Sequence, residues 1–272
     1  MQQLKARAKI NLFFHITGKR DDGYHLVESL VVFADDIYDC IAITTAEANS
    51  TKIVGGEFAG LIEGGNLIDK AVATFSDGQK YNCDLIKNIP VGAGLGGGSS
   101  DAAVVAKFLS NNASTADLMK IGVDLPVCYY DKPAFCQGIG EKITGLTDFP
   151  LLHMVLVNPR KTLLTADVFK INKVINTAAV IKPSGFDNCA GLIDFLSEQR
   201  NDLTEASVAL MPQIETIITL MAQQANCQIA RMSGSGPTCF GVFPDEDAAI
   251  LAVQNISNLH PEFWVKYTKV QK

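Results

Sequence analysis

Residues Pro90–Ala103 read Pro-Val-Gly-Ala-Gly-Leu-Gly-Gly-Gly-Ser-Ser-Asp-Ala-Ala, a glycine-rich turn that passes directly into an alanine-rich segment. Gly92, Gly94, Gly96, Gly97 and Gly98 lack Cβ atoms, so the backbone can take positive φ angles and a ligand can approach its N–H groups. Ser99, Ser100 and Asp101 offer capping chemistry where a helix should begin. Val105, Phe108 and Leu109 then recur at helical spacing. The first turn of such a helix presents unpaired N–H donors and the positive end of the helix dipole, which together favour an anion. The expected occupant is a phosphate of the ATP type, with Ser99 or Ser100 adding a hydroxyl to a phosphate oxygen or to a magnesium ion.

Other readings of the loop stay open at this point. Gly92, Gly94 and Gly97 satisfy the G-x-G-x-x-G dinucleotide fingerprint, which also asks for an acidic residue about 20 residues further on at the end of a second strand. The nearest candidate, Asp117, sits in Ser114-Thr115-Ala116-Asp117-Leu118-Met119, which reads as a helix start. A Walker loop is excluded, because no Gly-Lys-Ser/Thr follows. A ligand-free mobile turn is the remaining alternative, opposed by the entropic cost of so many glycines.

The 272 residues, 47% hydrophobic and 19% charged, describe a folded chain long enough for one large domain or two of ordinary size. We expect two. A net charge of −6 argues against a nucleic-acid polymer as partner, so an anionic ligand has to be met locally. The cysteines at 40, 83, 128, 136, 189, 227 and 239 are scattered and form no C-x-x-C pair. That pattern points to buried thiols in a reducing cytoplasm, without a zinc site or disulfide framework. The apolar stretch Ile10–Ile16 is interrupted by Asn11 and His15, unlike a signal peptide, and no segment has the length of a membrane span.

Period-two alternation of Ile10, Leu12 and Phe14 predicts a strand over 4–16, and Asp21-Asp22-Gly23 a turn before a strand at Leu26–Phe33. Further strands are expected at Ile37–Thr44 and Tyr81–Ile86, and helices at Asn66–Phe75, 99–110 and 114–121. Pro150 marks a boundary between residues 1–150 and 151–272. Beyond it the pattern predicts a strand at His153–Val157, a helix at Thr165–Val174 and a loop around Pro183-Ser184-Gly185. Asp202 and Glu205 have the spacing of a capping box, and Ile214, Ile217, Ile218 and Met221 form a helical stripe that reads as core packing. Ile229–Met232, Thr238–Phe243, Asp245–Asn255 and Phe263–Lys269 read strand, strand, helix, strand. Mixed elements without strict alternation indicate an α+β fold.

Three segments combine into a more specific pattern. They are Ala8-Lys9-Ile10-Asn11-Leu12 with Lys19-Arg20-Asp21-Asp22-Gly23-Tyr24-His25, the glycine loop, and Met232-Ser233-Gly234-Ser235-Gly236-Pro237-Thr238. Together they resemble the GHMP kinase superfamily. Asn66-Leu67, Gly122-Val123-Asp124-Leu125-Pro126, Gly138-Ile139-Gly140-Glu141 and Asn201-Asp202-Leu203 extend the similarity over nearly the whole chain. The glycine loop speaks for the superfamily, and the Lys-Ile-Asn-Leu and Asp-Gly-Tyr-His pair for its branch that phosphorylates a cytidylated methylerythritol on the non-mevalonate route to isoprenoids.

The resemblance implies an N-terminal ribosomal-protein-S5-like nucleotide domain and a C-terminal ferredoxin-like α+β domain, with ATP and substrate meeting between them. It implies transfer of phosphate from ATP, with magnesium, to the 2-hydroxyl of the substrate, by a cytoplasmic monomer or weak homodimer. ATP is assigned to Lys87, Pro90, Val91, Gly92, Ala93, Gly94, Leu95, Gly96, Gly97, Gly98, Ser99 and Ser100, and magnesium to Ser100. Asp124 matches the catalytic base. Its apolar neighbours Val123, Leu125 and Val127 would desolvate it, which suits a proton acceptor; read alone, it is a turn aspartate before Pro126. Lys9 matches the catalytic lysine, and read alone is an exposed strand lysine. Tyr24, His25 and Phe169 match an aromatic grip on cytosine, although Phe169 also fits a buried helix face and His25 a strand edge. Asn11, Ser233 and Gly234 complete the substrate side, where the glycine turn at 233–237 also reads as a plain β-turn. A sibling kinase for homoserine or mevalonate, and a silent nucleotide-binding regulator, are the competing functions.

Overall fold

In a computed structural model, residues 1–61 and 65–271 are described; Lys272, the last residue of the expected second domain, lies outside them. The first half contains β1 (Gln2–Lys19), β2 (His25–Thr45), β3 (Ser50–Gly55), α1 (Leu67–Phe75), β4 (Tyr81–Ile86), α2 (Gly97–Leu109), α3 (Thr115–Ile121), α4 (Leu125–Tyr130), β5 (Ala134–Gly138) and β6 (Lys142–Gly145). The second contains β7 (Leu152–Asn158), α5 (Thr165–Ile171), α6 (Cys189–Ser197), α7 (Thr204–Leu210), α8 (Gln213–Ala222), β8 (Ile229–Met232), β9 (Cys239–Phe243), α9 (Glu246–Leu259) and β10 (Trp264–Val270).

The fold is α+β, as expected. One six-stranded sheet runs β3-β4-β2-β5-β6 with β1 on β2, and a four-stranded sheet runs β10-β7-β9-β8. Counting only its own strands, the second sheet has the ferredoxin-like order 4-1-3-2. The two halves share their apolar interior. Ile10, Leu12 and Phe13 of β1 pack in one cluster with Leu156, Phe240 and Trp264 of the second sheet. β1 is also stitched to the second half through Phe14, whose N–H donates to Arg200 O at 3.0 Å and whose carbonyl accepts from Asp202 N at 2.8 Å.

Local signals placed several elements well. Asn66, Ser114 and Asp245 each cap a helix, accepting from Ile68 N, Asp117 N and Ala248 N at 3.0, 3.1 and 2.8 Å. The helix start at Ser114 removes the acidic strand end that a dinucleotide site would require. Other expectations need correction. β2 runs unbroken through Asp35-Asp36, where two strands were expected: its register on β1 jumps from Arg7↔Tyr38 to Lys9↔Phe33. The resulting bend is held by Arg7 Nη1 donating to Asp35 Oδ1 at 2.8 Å and by Asp36 N donating to Thr268 Oγ1 at 3.2 Å. The elements β3, α4, β5, β6 and α6 had no strong local signal. In α4 Pro126 occupies the first turn, where its missing N–H is harmless. The expected helix at Thr165–Val174 stops at Ile171.

Two capping assignments also fail. Asp202 caps nothing: Oδ2 accepts from Ile16 N at 2.8 Å and Oδ1 from Arg200 Nε at 2.7 Å, while α7 begins after Leu203. α2 begins at Gly97 after Gly96 in the left-handed conformation, with no side-chain cap. Ser100 and Asp101 therefore lie inside the helix, Ser100 at the end of its first turn and Asp101 just past it, both buried. The cysteines are all free thiols; Cys83, Cys128, Cys136 and Cys239 are buried as expected, but Cys40, Cys189 and Cys227 are only half-buried.

Candidate active site

A cleft of ≈ 1380 Å³ opens between the glycine loop, the face of β1 and β2 carrying Lys9, Asn11 and Ser29, the start of α4, the Thr162–Phe169 segment and Gly234-Ser235. The loop is organised by its carbonyls. Gly92 O accepts from Leu163 N at 3.0 Å, Ala93 O from Thr238 N at 3.2 Å, Gly94 O from Ser233 Oγ at 2.9 Å, Leu95 O from Lys9 N at 2.8 Å and Gly96 O from Ser100 N at 2.8 Å. The N–H groups of Gly92 to Gly96 bond to no other group among the described residues, and the first-turn amides of α2 add to them. A run of free donors at a helix start is an anion cradle.

Glycine is required here for two reasons at once. Gly94 has φ +72°, and a Cβ there would stand 2.2 Å from Ser233 O. Gly94→Ala is therefore expected to add about 1–3 kcal/mol of backbone strain before the clash is counted. The expected readout is a lowered Tm and a KM for ATP raised about tenfold or more; a wild-type Tm and KM would show that the loop does not depend on this conformation.

Of the residues expected to meet the nucleotide, Pro90, Val91, Gly92, Ala93, Gly94, Gly96, Gly97, Gly98 and Ser99 line the cleft. Leu95 does not; its side chain is core. Lys87 is the larger correction. It reaches the cleft floor, but its ammonium is no free point charge: Nζ donates to Asp39 and, at 2.7 Å, to Asp101. Asp39 also accepts from the N–H groups of Asn88 and, at 2.9 Å, Ile89. All three charged side chains are buried. Burial and the Asp39 charge push the Asp101 carboxyl above the usual carboxylate range against the pull of Lys87. The trio braces the chain entering the loop. Ser100 is buried too, its hydroxyl directed to Cys128 Sγ at 3.4 Å.

Facing the loop, Lys9 Nζ donates to Asp124 Oδ2 at 2.8 Å. Lys9 is not the exposed strand lysine of the plain reading, since its side chain is only 6% exposed. Burial is the largest influence and works against its charge, but the Asp124 carboxylate and its hydrogen bond, together with Cys128 and Cys136, hold its pKa above the ordinary lysine value. Asp124 is less enclosed than its neighbours implied. Its side chain is 41% exposed, and Val123 turns outward. It precedes α4 without capping it, so Oδ1 is open to the cleft. A held carboxylate with one free oxygen can accept a proton, and the adjacent cation can steady an anion.

At the far end of the cleft the Asp21–Gly23 turn, closed by Arg20 N to Tyr24 O at 2.7 Å, presents Tyr24 and His25. The His25 and Phe169 rings stack at 5.0 Å with 26° between planes, and Phe169 meets Phe14 edge-on at 6.4 Å. Tyr24 is 52% exposed. Burial, with Lys19 nearby, lowers the pKa of His25. Phe169 therefore serves both readings, packing on the second-half core and lining the cleft.

Ser233 is fully buried, its hydroxyl spent between Asn11 N at 3.1 Å and Gly94 O. It ties β1 to the glycine loop and does not face the cleft; Gly234 does. Sequence reasoning missed Ser29, Asp39 and the function of Asp101. Asp101 alone carried a signal, an acid directly after two serines at a helix start.

Residues 66–138 match the family described as GHMP kinases N terminal domain, and residues 188–261 the family described as GHMP kinases C terminal. The chain is 41% identical to the 4-diphosphocytidyl-2-C-methyl-D-erythritol kinase of Roseobacter denitrificans, over 97% of this chain and 92% of that one. It is also 41% identical to the protein of the same name from Cereibacter sphaeroides, over 97% and 98%. Among solved structures, it matches a 4-(cytidine 5'-diphospho)-2C-methyl-D-erythritol kinase with TM-score 0.75 and 24% identity over 100% of both chains. Homoserine kinase from Cytophaga hutchinsonii matches with TM-score 0.64 and 14% identity over 99% of this chain and 94% of that one. The two structural likenesses carry the fold.

Proposed function

The chain belongs to the GHMP kinases and, within them, to the 4-diphosphocytidyl-2-C-methyl-D-erythritol kinase family, and from that membership we propose how its cleft divides the work. The reaction is ATP-dependent phosphorylation of the 2-hydroxyl of 4-diphosphocytidyl-2-C-methyl-D-erythritol in the non-mevalonate isoprenoid pathway, with release of ADP. The observation that carries the assignment of roles is the Lys9–Asp124 pair at 2.8 Å in the same cleft as the amide-lined loop.

The triphosphate lies on the free N–H groups of Gly92–Ser99. Phosphoryl transfer asks the protein chiefly for positioning and charge stabilisation. Asp124 accepts the proton of the attacking hydroxyl on its open oxygen. Lys9, held charged by Asp124, fixes that carboxylate and faces the charge that builds on the transferring group. The cytidine end rests against Tyr24, His25 and Phe169. Aromatic faces suit a pyrimidine, and a neutral imidazole can both donate to and accept from its polar edge.

Magnesium supplies charge neutralisation at the phosphates. No group of three or more His, Cys, Asp or Glu side chains suited to a metal occurs among the described residues, and Asp101 is committed to Lys87. That donor set fits a magnesium carried in by ATP and water, and Ser100, whose hydroxyl is directed to Cys128, is the protein residue that would hold it. The free thiols and the net charge of −6 support a cytoplasmic enzyme without a nucleic-acid partner, and the family resemblance carries the reading of a monomer or weak homodimer. No helix among the described residues is long and apolar enough to cross a membrane.

A coupled ADP-release assay tests the substrate. The cytidylated methylerythritol is expected to turn over, and CDP to compete with it; turnover of homoserine or mevalonate with none of this substrate would overturn the assignment.

A further inference from the structure

One buried acceptor in the cleft has no donor. Asn11 is 2% exposed and lines the cleft, and its Oδ1 finds no hydrogen-bond partner among the described residues. The opposite end of the amide is fixed. Nδ2 donates to Ser29 Oγ at 2.8 Å, and the Ser29 hydroxyl donates in turn to Phe13 O at 2.7 Å. A serine hydroxyl has a single hydrogen. With that hydrogen committed to a carbonyl, Ser29 Oγ can only accept, so only the NH₂ end of Asn11 can face it. The usual two-way ambiguity of an amide is thereby removed, and Oδ1 is left as an acceptor without a donor on the Gly234 side of the cleft wall.

The surroundings hold that oxygen rigid, with almost no surface of its own exposed, so a donor meets it only as the Gly234 side of the cleft wall adjusts. Asn11 N is anchored on Ser233 Oγ at 3.1 Å. Gly234 lies opposite with φ +54°, and a Cβ there would stand 3.0 Å from Oδ1. Between Lys9↔Phe33 and Asn11↔Val31 the ladder is regular, so the two side chains share one face of β1. The open acceptor therefore sits beside the Lys9–Asp124 pair.

We infer that Ser29 is a positioning residue that locks Asn11 as a hydrogen-bond acceptor for a hydroxyl of the polyol end of the substrate. The inference rests on the kinase reading of this same cleft. An unpaired buried carbonyl discriminates strongly, because a ligand lacking the matching donor leaves it unpaired again. Ser29 thus contributes to selection among alcohols without touching one.

The test compares Ser29→Ala with Ser29→Thr in the full chain. Ser29→Ala frees the amide and is expected to lower kcat/KM for the cytidylated methylerythritol by about 10- to 100-fold. The KM for ATP and the inhibition constant of CDP are expected to stay within about twofold of wild type. Ser29→Thr keeps the hydroxyl and is expected to restore most of the loss. Wild-type kcat/KM in Ser29→Ala would overturn the inference. So would a parallel weakening of CDP, which would place the amide at the base, or an equal loss in Ser29→Thr at unchanged Tm. If Ser29→Ala does not fold, Ser29→Cys, a weak acceptor, carries the same comparison. A wild-type protein that leaves this alcohol untouched would instead be a failure of the kinase reading.

Discussion

Asp124→Asn is expected to lower kcat by about 10²- to 10⁴-fold, with the KM for ATP changed by no more than about threefold. The substitution keeps the size of the side chain and an oxygen for Lys9, so the 2.8 Å contact has a neutral successor and α4 has no reason to move. What disappears is the group that takes the hydroxyl proton. A second effect acts in the same direction. Burial already opposes the Lys9 charge, and the Asp124 carboxylate is the foremost of the groups that raise its pKa above the ordinary value. With a neutral partner burial is less opposed, so the charge facing the phosphoryl group is weakened as well. Steady-state kinetics and a thermal melt check this; full turnover would remove Asp124 as the base.

Lys87→Met is expected to destabilise the protein by about 3–5 kcal/mol, because it strands two buried carboxylates without their cation. For a domain of this size that corresponds to a Tm lower by roughly 10 °C. The sign of the pH dependence follows from Asp101. Its folded pKa lies above the unfolded value, through burial first and the Asp39 charge as well, so the native state binds the extra proton. The Asp101 contribution to stability is therefore fully present below the unfolded value and is lost as pH rises through the folded one. Without Lys87, whose charge pulls that pKa down, the fall should extend to higher pH. Melts of Lys87→Met across pH, beside Lys87→Met/Asp39→Asn/Asp101→Asn, check the account. The triple variant should recover much of the loss; a triple variant no more stable than Lys87→Met would show that stranded charge is not the cause. A weakened grip on ATP in Lys87→Met would reflect a misplaced loop, since the ammonium is already spent on Asp39 and Asp101.

Much of the site was legible where its physics is local. The glycine loop could be read because positive φ, absent Cβ atoms and a following helix are consecutive in sequence, and Gly92, Gly94 and Gly96 do take φ of +58°, +72° and +61°. The caps at Asn66, Ser114 and Asp245 act over two or three residues. Short elements such as β6 and α4 were not legible. Four to six residues give too little periodicity, and β6 exists through its ladder with β5.

The chain by itself determined an α+β fold, an amide-rich cradle for phosphate, and a set of polar residues too specific for an inert scaffold. Tertiary structure alone decided which partner each polar group took. Lys9 and Asp124 lie 115 residues apart and meet only because α2 packs against both β1 and α4. Asp202, spaced for a cap, is drawn instead to Ile16 N and Arg200, and Lys87, next to a phosphate loop, is claimed by Asp39 from a neighbouring strand. The physical reason is common to all of them. Backbone conformation is set by neighbours in sequence, whereas burial makes an unpaired charge or hydrogen-bonding group expensive, so such groups bond to whatever the fold brings within about 3 Å.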